Sequence, residues 1–248
     1  MKTIGLIGGT SWPSTILYYE KLNRAAQESL GGHHSARLLL YSIDYHLIKS
    51  LYNNGWDKIP SLLAEEIQFF MEKKPDCLVL CNNTLHRALD EISAELDLQV
   101  PIFHAGHLAA DEAQRQGAKN VLLLATAFTM EDGFFAHYFE ERGIRVIVPS
   151  SEDRRQIQAI QTRLAAGKSD STYGTTMAEI VGHYPQAEAV VLACTELPLA
   201  LKPEHISIPV INTIVCQCNA AASFAFPPQT PVRHDLLKNG RVAGVENV

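Results

Sequence analysis

The feature that most restricts this chain is a strand–helix pattern that occurs twice. Short runs rich in leucine and β-branched residues, TIGLIGG (3–9), ARLLLYSID (36–44) and DCLVLC (76–81), alternate with longer amphipathic stretches. KNVLLLAT (119–126), IRVIVPS (144–150) and EAVVLACT (188–195) then repeat the order. Near-continuous apolar strands separated by helical segments form parallel sheets buried on both faces. SWPSTILYYEKLNRAAQESL and IPSLLAEEIQFFMEKK read as helices with Ser and Pro at their openings, and MEDGFFAHYFEERG and TTMAEIVGHY as their counterparts. Two Pro-led strands, VPIFHAG (100–106) and IPVINT (208–213), close the halves. The expected fold is therefore α/β: two pseudo-symmetric lobes, each a parallel β-sheet flanked by helices, with the active site in the inter-lobe cleft. Residues 1–99 with 208–248 are expected to form the first lobe and 100–207 the second. The tail FPPQTPVRHDLLKNGRVAGVENV, Pro-rich at its start, reads as a packed or frayed extension.

A chain of 248 residues can bury one large core or two half-sized ones. Its net charge of −6, without a Lys/Arg cluster interleaved with aromatics, argues against nucleic acid as a partner. The N-terminal apolar run is too short for a secretory signal and no membrane-length apolar segment follows, so a cytoplasmic location is expected. Five cysteines without secretory context read as free thiols. Cys216 and Cys218 lack a second pair, and the ten histidines form no ligand constellation, so neither metal nor cofactor is expected.

GLIGGTSWPST joins a strand to a helix, but its glycines do not give the dinucleotide fingerprint and it has no P-loop lysine. It leaves Thr10, Ser11 and Ser14 over a helix N-terminus, a setting that suits a carboxylate, with simple N-capping as the other reading of Ser14. ATAFTME is the matching turn, and its Thr126 and Thr129 either bind the same acid or cap the helix. LVLCNNT and VVLACTE occupy equivalent places at the C-terminal ends of the third strands, where open parallel sheets bind ligands. Cys194 beside Thr195 and Glu196 is either an inert buried thiol or an acid/base, its pKa lowered from about 8.5 by surrounding amide dipoles. His86 stands apart from the other histidines because it lies four residues past Asn82, on the first turn of a helix.

These segments resemble the aspartate/glutamate racemase superfamily. IGLIGG, HSARLLLYS, NNTLH, FTME, VPSSEDR, AGK and LACTELPL carry the resemblance over nearly the whole chain. It implies a cofactor-independent isomerase, frequently dimeric, that inverts an amino-acid α-carbon with a proton acceptor on one face and a donor on the other. Cys194 matches the second-lobe catalytic cysteine. The first-lobe residue precedes N-T-x-H and is Cys, or Thr in one branch; here Asn83, Thr84, Leu85 and His86 put Asn82 in that slot. An asparagine amide neither gains nor loses a proton near neutral pH. Cys81 is one residue too early, and strand alternation turns it away. Thr10, Ser11, Tyr52, Asn83, Thr84, Thr126, Thr129 and Thr195 are the implied substrate-binding residues. Lys168, in AGK, matches a lysine that can pair with a substrate carboxylate. Thr10, Tyr52, Ala125, Asn212 and Gln217 depart from the residues usual at their positions.

Three functions fit. The first is an amino-acid racemase in which Cys194 exchanges the α-proton while Asn82 hydrogen-bonds the substrate or positions water. The second is a one-sided proton-transfer enzyme, decarboxylase-like, that uses Cys194 alone. The third is a catalytically silent homologue that binds an amino acid or related carboxylate. In each the partner is a small carboxylate, and a homodimer is expected.

Overall fold

The computed structural model describes residues 1–52 and 54–226, so the tail beyond Phe226 lies outside the described residues. In chain order the first half runs β1 (Ile4–Gly8), α1 (Trp12–Leu30), β2 (Leu38–Ser42), α2 (His46–Ser50), α3 (Ile59–Met71), β3 (Cys77–Leu80) and α4 (Leu85–Ile92). The second half runs α5 (Ala105–Arg115), β4 (Asn120–Leu124), α6 (Ala127–Asp132), α7 (Phe134–Glu140), β5 (Arg145–Ile147), α8 (Ser151–Ala165), α9 (Thr172–Gly182) and β6 (Ala189–Leu192), and ends with β7 (Val210–Asn212) and α10 (Thr213–Ala225).

The described strands form two all-parallel sheets, ordered β2-β1-β3 and β5-β4-β6-β7. Ile102 pairs with Leu78 in parallel, giving the first sheet a fourth position equivalent to β7. The central strands β1, β3 and β6 are buried at every residue, as helices on both faces require. The two-lobe α/β architecture expected from the repeated pattern is therefore present.

The chain crosses between lobes after each closing strand. Pro101 and Phe103 bond to Leu78, yet α5, which follows, packs its Ala109, Ala110 and Ala113 into the core around β4 and β6. In mirror fashion β7 joins β6, and α10 returns to pack Ile214, Cys218 and Ala221 beside β1, β3 and α1. Strand segments 101–103 and 210–212 thus pair one lobe away from the side that the expected limits at 99/100 and 207/208 assign them. The strand expected over 100–106 is shorter than its counterpart, because α5 begins at Ala105. The helix expected over 130–143 is broken at Gly133, whose φ of 90° no helix accommodates.

The turn after β1 depends on one glycine. Gly9 has φ 81°, and a Cβ there would stand 2.3 Å from the Ile43 carbonyl oxygen and 2.7 Å from the Ile43 nitrogen. Thr15 closes the turn by accepting the Gly9 N–H at 3.1 Å and donating to the Ser11 carbonyl at 3.0 Å. Gly9→Ala combines left-handed strain with a backbone collision and should destabilise the protein by about 2–4 kcal/mol. A lower urea midpoint with an unchanged slope would show this; a shift below about 0.5 kcal/mol would mean the turn relaxes freely.

Candidate active site

Strand register identifies which residues face each other across the lobes. In the first sheet Ile7 pairs with Leu80, and in the second Leu124 pairs with Leu192. One residue on, Cys81 N–H donates to Ile7 and Ala193 N–H donates to Leu124, both at 2.9 Å, as the last ladder bonds. The next residues, the first beyond each sheet, are Asn82 and Cys194. They are positional counterparts, and both line one cavity of about 280 Å³. Thr10, Ser11, Tyr52, Asn83, Thr84, Thr126 and Thr195 line it too, as do Trp12, Tyr45, Lys49, Gln161 and Glu196. A larger hollow of about 750 Å³ lies over α1, α5 and α10. It takes nothing from the ends of β1 or β3, and its arginines Arg24 and Arg115 are paired with Glu20 and Glu112.

Cys194 is buried, and its thiol donates to Glu196 Oε2 at 2.9 Å. Thr195 Oγ1 donates to the same oxygen at 3.3 Å. The sequence suggested a lowered thiol pKa, but the environment acts the other way. Burial first, and the Glu196 carboxylate second, push the Cys194 thiol well above its ordinary range. The group is therefore a protonated thiol with a carboxylate proton acceptor already in contact.

On the opposite side Asn82 is fixed by its own backbone turn. Its Oδ1 accepts the Leu85 N–H at 2.9 Å at the start of α4. His86 is fully buried: its Nε2 accepts the Ala105 N–H at 3.1 Å, which leaves Nδ1 to donate to the Asn82 carbonyl at 2.7 Å. Burial drives the His86 pKa well below its usual value, so it is a neutral strut between the Asn82 turn and α5. Cys81 points into the core with Leu6 and Tyr18 and does not line the cavity.

Two polar atoms are buried without a partner and belong to cavity residues: Ser11 Oγ and Asn83 Oδ1. Buried polar groups are ordinarily satisfied, so these two are the acceptor and donor capacity left for a ligand. The Asn83 amide nitrogen is engaged, donating to Thr213 Oγ1 at 2.9 Å across to the second sheet. Thr10 donates to the Cys81 carbonyl at 2.9 Å, which leaves its lone pairs toward the cavity. Ser14 does not cap α1; its hydroxyl bonds the Ser11 carbonyl at 3.0 Å. Thr126 caps α6, accepting the Thr129 N–H at 3.3 Å. Thr129 is buried behind the wall, bonded to Thr84 at 3.0 Å and to Thr126 at 2.9 Å.

Lys168 is exposed and outside the lining. Its neighbour Gly167 abuts the exposed Trp12 ring, where an added Cβ would be 3.2 Å away. The cation that does line the cavity is Lys49, which reaches it from α2. Of the unusual residues, Gln217 is structural: it bonds the Leu80 and Phe103 carbonyls and accepts from Tyr18. Asn212 caps α10 through the Ile214 N–H at 3.0 Å.

Tyr45 and Lys49 escaped the sequence reading because they lie on a short segment after an edge strand, without a motif. An aromatic cluster closes that side of the cleft: Tyr52 and Trp56 from the first lobe meet Phe128 from the second at centroid distances of 5.4 and 4.9 Å. Arg87 pairs with Asp132 across the same seam at 2.5 Å.

Comparison with known proteins agrees with this architecture. Residues 7–221 match the model of the Asp/Glu/Hydantoin racemase family. A candidate Asp/Glu racemase from Yersinia pestis is 33% identical, with a TM-score of 0.79 over 91% of this chain and 99% of its own. An aspartate racemase homologue from Pyrococcus horikoshii OT3 is 29% identical, with a TM-score of 0.77 over 91% and 99%. The aspartate racemase of Picrophilus torridus shares the fold at 21% identity, with a TM-score of 0.74 over 91% and 94%. Two duplicated lobes, one cavity between their third-strand ends and a match across nearly the whole chain place this protein in the Asp/Glu/hydantoin racemase family.

Proposed function

We propose that this protein is a cofactor-independent amino-acid racemase of acidic or closely related substrates, working through proton transfer at Cys194. The observation that carries the reading is the Cys194–Glu196 contact at the register-matched end of β6, opening onto a cavity sized for one small amino acid. Glu196 receives the thiol proton, and the thiolate so formed removes the substrate α-proton. The negative charge then spreads into the substrate carboxylate, which the Ser11 hydroxyl and the N-terminus of α1 are placed to hold. Asn83 Oδ1 accepts from the substrate ammonium, and Asn82 hydrogen-bonds the substrate from the first-lobe side. Lys49, rather than Lys168, is the cation available to a side-chain carboxylate. The candidate Asp/Glu racemase from Yersinia pestis and the aspartate racemase homologue from Pyrococcus horikoshii OT3 support acidic amino acids as the substrate class. In this reading the enzyme works in the cytoplasm as a homodimer.

One-sided chemistry is the second reading, favoured by Cys194 being the single thiol that lines the cavity. Incubation with aspartate, glutamate and other amino acids in deuterium oxide, followed by proton NMR and chiral analysis, tests both. Loss of the α-proton signal with appearance of the other enantiomer is expected. Carbon dioxide released from a substituted malonate, without amino-acid exchange, would replace the racemase reading with the decarboxylase-like one.

A further inference from the structure

Inversion needs a second proton carrier on the face opposite Cys194, and neither Asn82, at the family position, nor the adjacent Cys81 supplies it. Asn82 cannot titrate, and Cys81 points into the core. Glu196 is bound to Cys194 and belongs to that side. The first-lobe wall of the cavity contains two phenols, Tyr45 and Tyr52, whose hydroxyls are in direct, short hydrogen-bond contact. Tyr45 shares the cavity wall with Asn82 and is the phenol whose protonation the neighbouring Asn82 side chain influences. Thr84, which lines the same wall, has its hydroxyl 3.0 Å from that of Thr129 in the second lobe. The Lys49 ammonium lies 5.9 Å from each phenol ring centroid.

We propose that Tyr45 is the first-lobe acid of this enzyme, its phenol taking over the proton transfer that Asn82 cannot perform. The assignment rests on the racemase reading above. In the step, the carbanion electron pair forms the new C–H bond, the Tyr45 O–H bond breaks, and the phenolate is left beside the Tyr52 hydroxyl and the Lys49 charge. Having taken the α-proton, Cys194 is again a neutral thiol, so the cycle closes when Glu196 releases its proton to solvent and the phenolate takes one up. Burial keeps both phenols protonated, which suits a donor. The reverse direction starts from the form in which Tyr45 is the phenolate and Cys194 the protonated thiol. Because enantiomers have equal free energy, kcat/KM must match in both directions, but kcat and KM separately need not.

The test compares wild type, Tyr45→Phe, and Tyr45→Phe with Asn82→Cys, each given a single enantiomer of aspartate or glutamate in deuterium oxide. Exchange and inversion are read separately. Tyr45→Phe is expected to lower the ratio of inversion to exchange by about 10²-fold or more, as loss of a general acid does. The added Asn82→Cys should return inversion by placing a thiol in the family slot. An unchanged ratio in Tyr45→Phe overturns the assignment. So does exchange with retention alone in wild type, although Cys194 then keeps its role. Absence of any exchange in wild type overturns the racemase reading and this assignment together. If Tyr45→Phe loses exchange and inversion alike, recovery of both in the double variant supports the assignment, and failure to recover with native circular dichroism overturns it.

Discussion

Cys194→Ala is expected to lower α-proton exchange of the enantiomer whose α-hydrogen faces the thiol by about 10³-fold or more, the upper part of the range for losing a positioned acid/base. The size follows from what else lines the cavity. Tyr45 and Tyr52 are phenols held protonated by burial, Asn82 and Asn83 are amides, and Lys49 is exposed toward the mouth. None of them replaces a thiolate at the end of β6. The structural cost is smaller. Glu196 Oε2 loses its 2.9 Å donor but keeps the Thr195 hydroxyl at 3.3 Å, a change of about 1–3 kcal/mol. Thermal melting of the variant should therefore remain cooperative while exchange of that enantiomer, followed by NMR in deuterium oxide, disappears. Exchange of that enantiomer within tenfold of wild type in a folded Cys194→Ala protein would remove Cys194 from the mechanism and with it the racemase reading. Ligand-dependent stabilisation that persists in the variant, with no turnover in wild type, would point to a binding protein instead.

The fold was legible because it is written in periodicity: apolar runs at β1, β3, β4 and β6 could be buried only in a parallel sheet, and their repetition forced two lobes. Register carried that far enough to pair Asn82 with Cys194 and to turn Cys81 into the core. The short closing strand before α5 was misread because VPIFHAG has strand composition throughout, while its end is taken over by helix packing in the other lobe. α8 escaped notice since its apolar stripe is narrow, Ile157, Ile160 and Leu164 among polar residues. At the site, Glu196 was visible as a neighbour of Cys194 in sequence. That its carboxylate bonds the thiol, and that burial dominates over amide dipoles, depends on side-chain direction and depth, which adjacency does not encode. Tyr45 and Lys49 reach the cavity only because the turn at Gly9 packs against Ile43 and brings α2 over the strand ends.

Glu196→Gln separates two roles for that carboxylate. If it only holds the thiol back, removing its charge lowers the Cys194 pKa and leaves activity equal or higher. If it is the proton acceptor, the variant must form thiolate by losing the proton to solvent. Burial, the larger of the two influences on the thiol, is unchanged by the substitution. The thiol therefore remains largely protonated at pH 7, and exchange should fall by about 10²–10⁴-fold. The sign of the pH dependence is then fixed. Below the thiol pKa the thiolate fraction rises about tenfold per pH unit, so the variant's log rate should climb with unit slope as pH increases. Wild type, which transfers the proton internally at 2.9 Å, should stay nearly flat over the same interval. A pH-rate series for exchange in both proteins reads this directly. A loss equal at every pH would make Glu196 a packing residue, and a rate at pH 7 as high as wild type would make it a restraint on the thiol rather than its base.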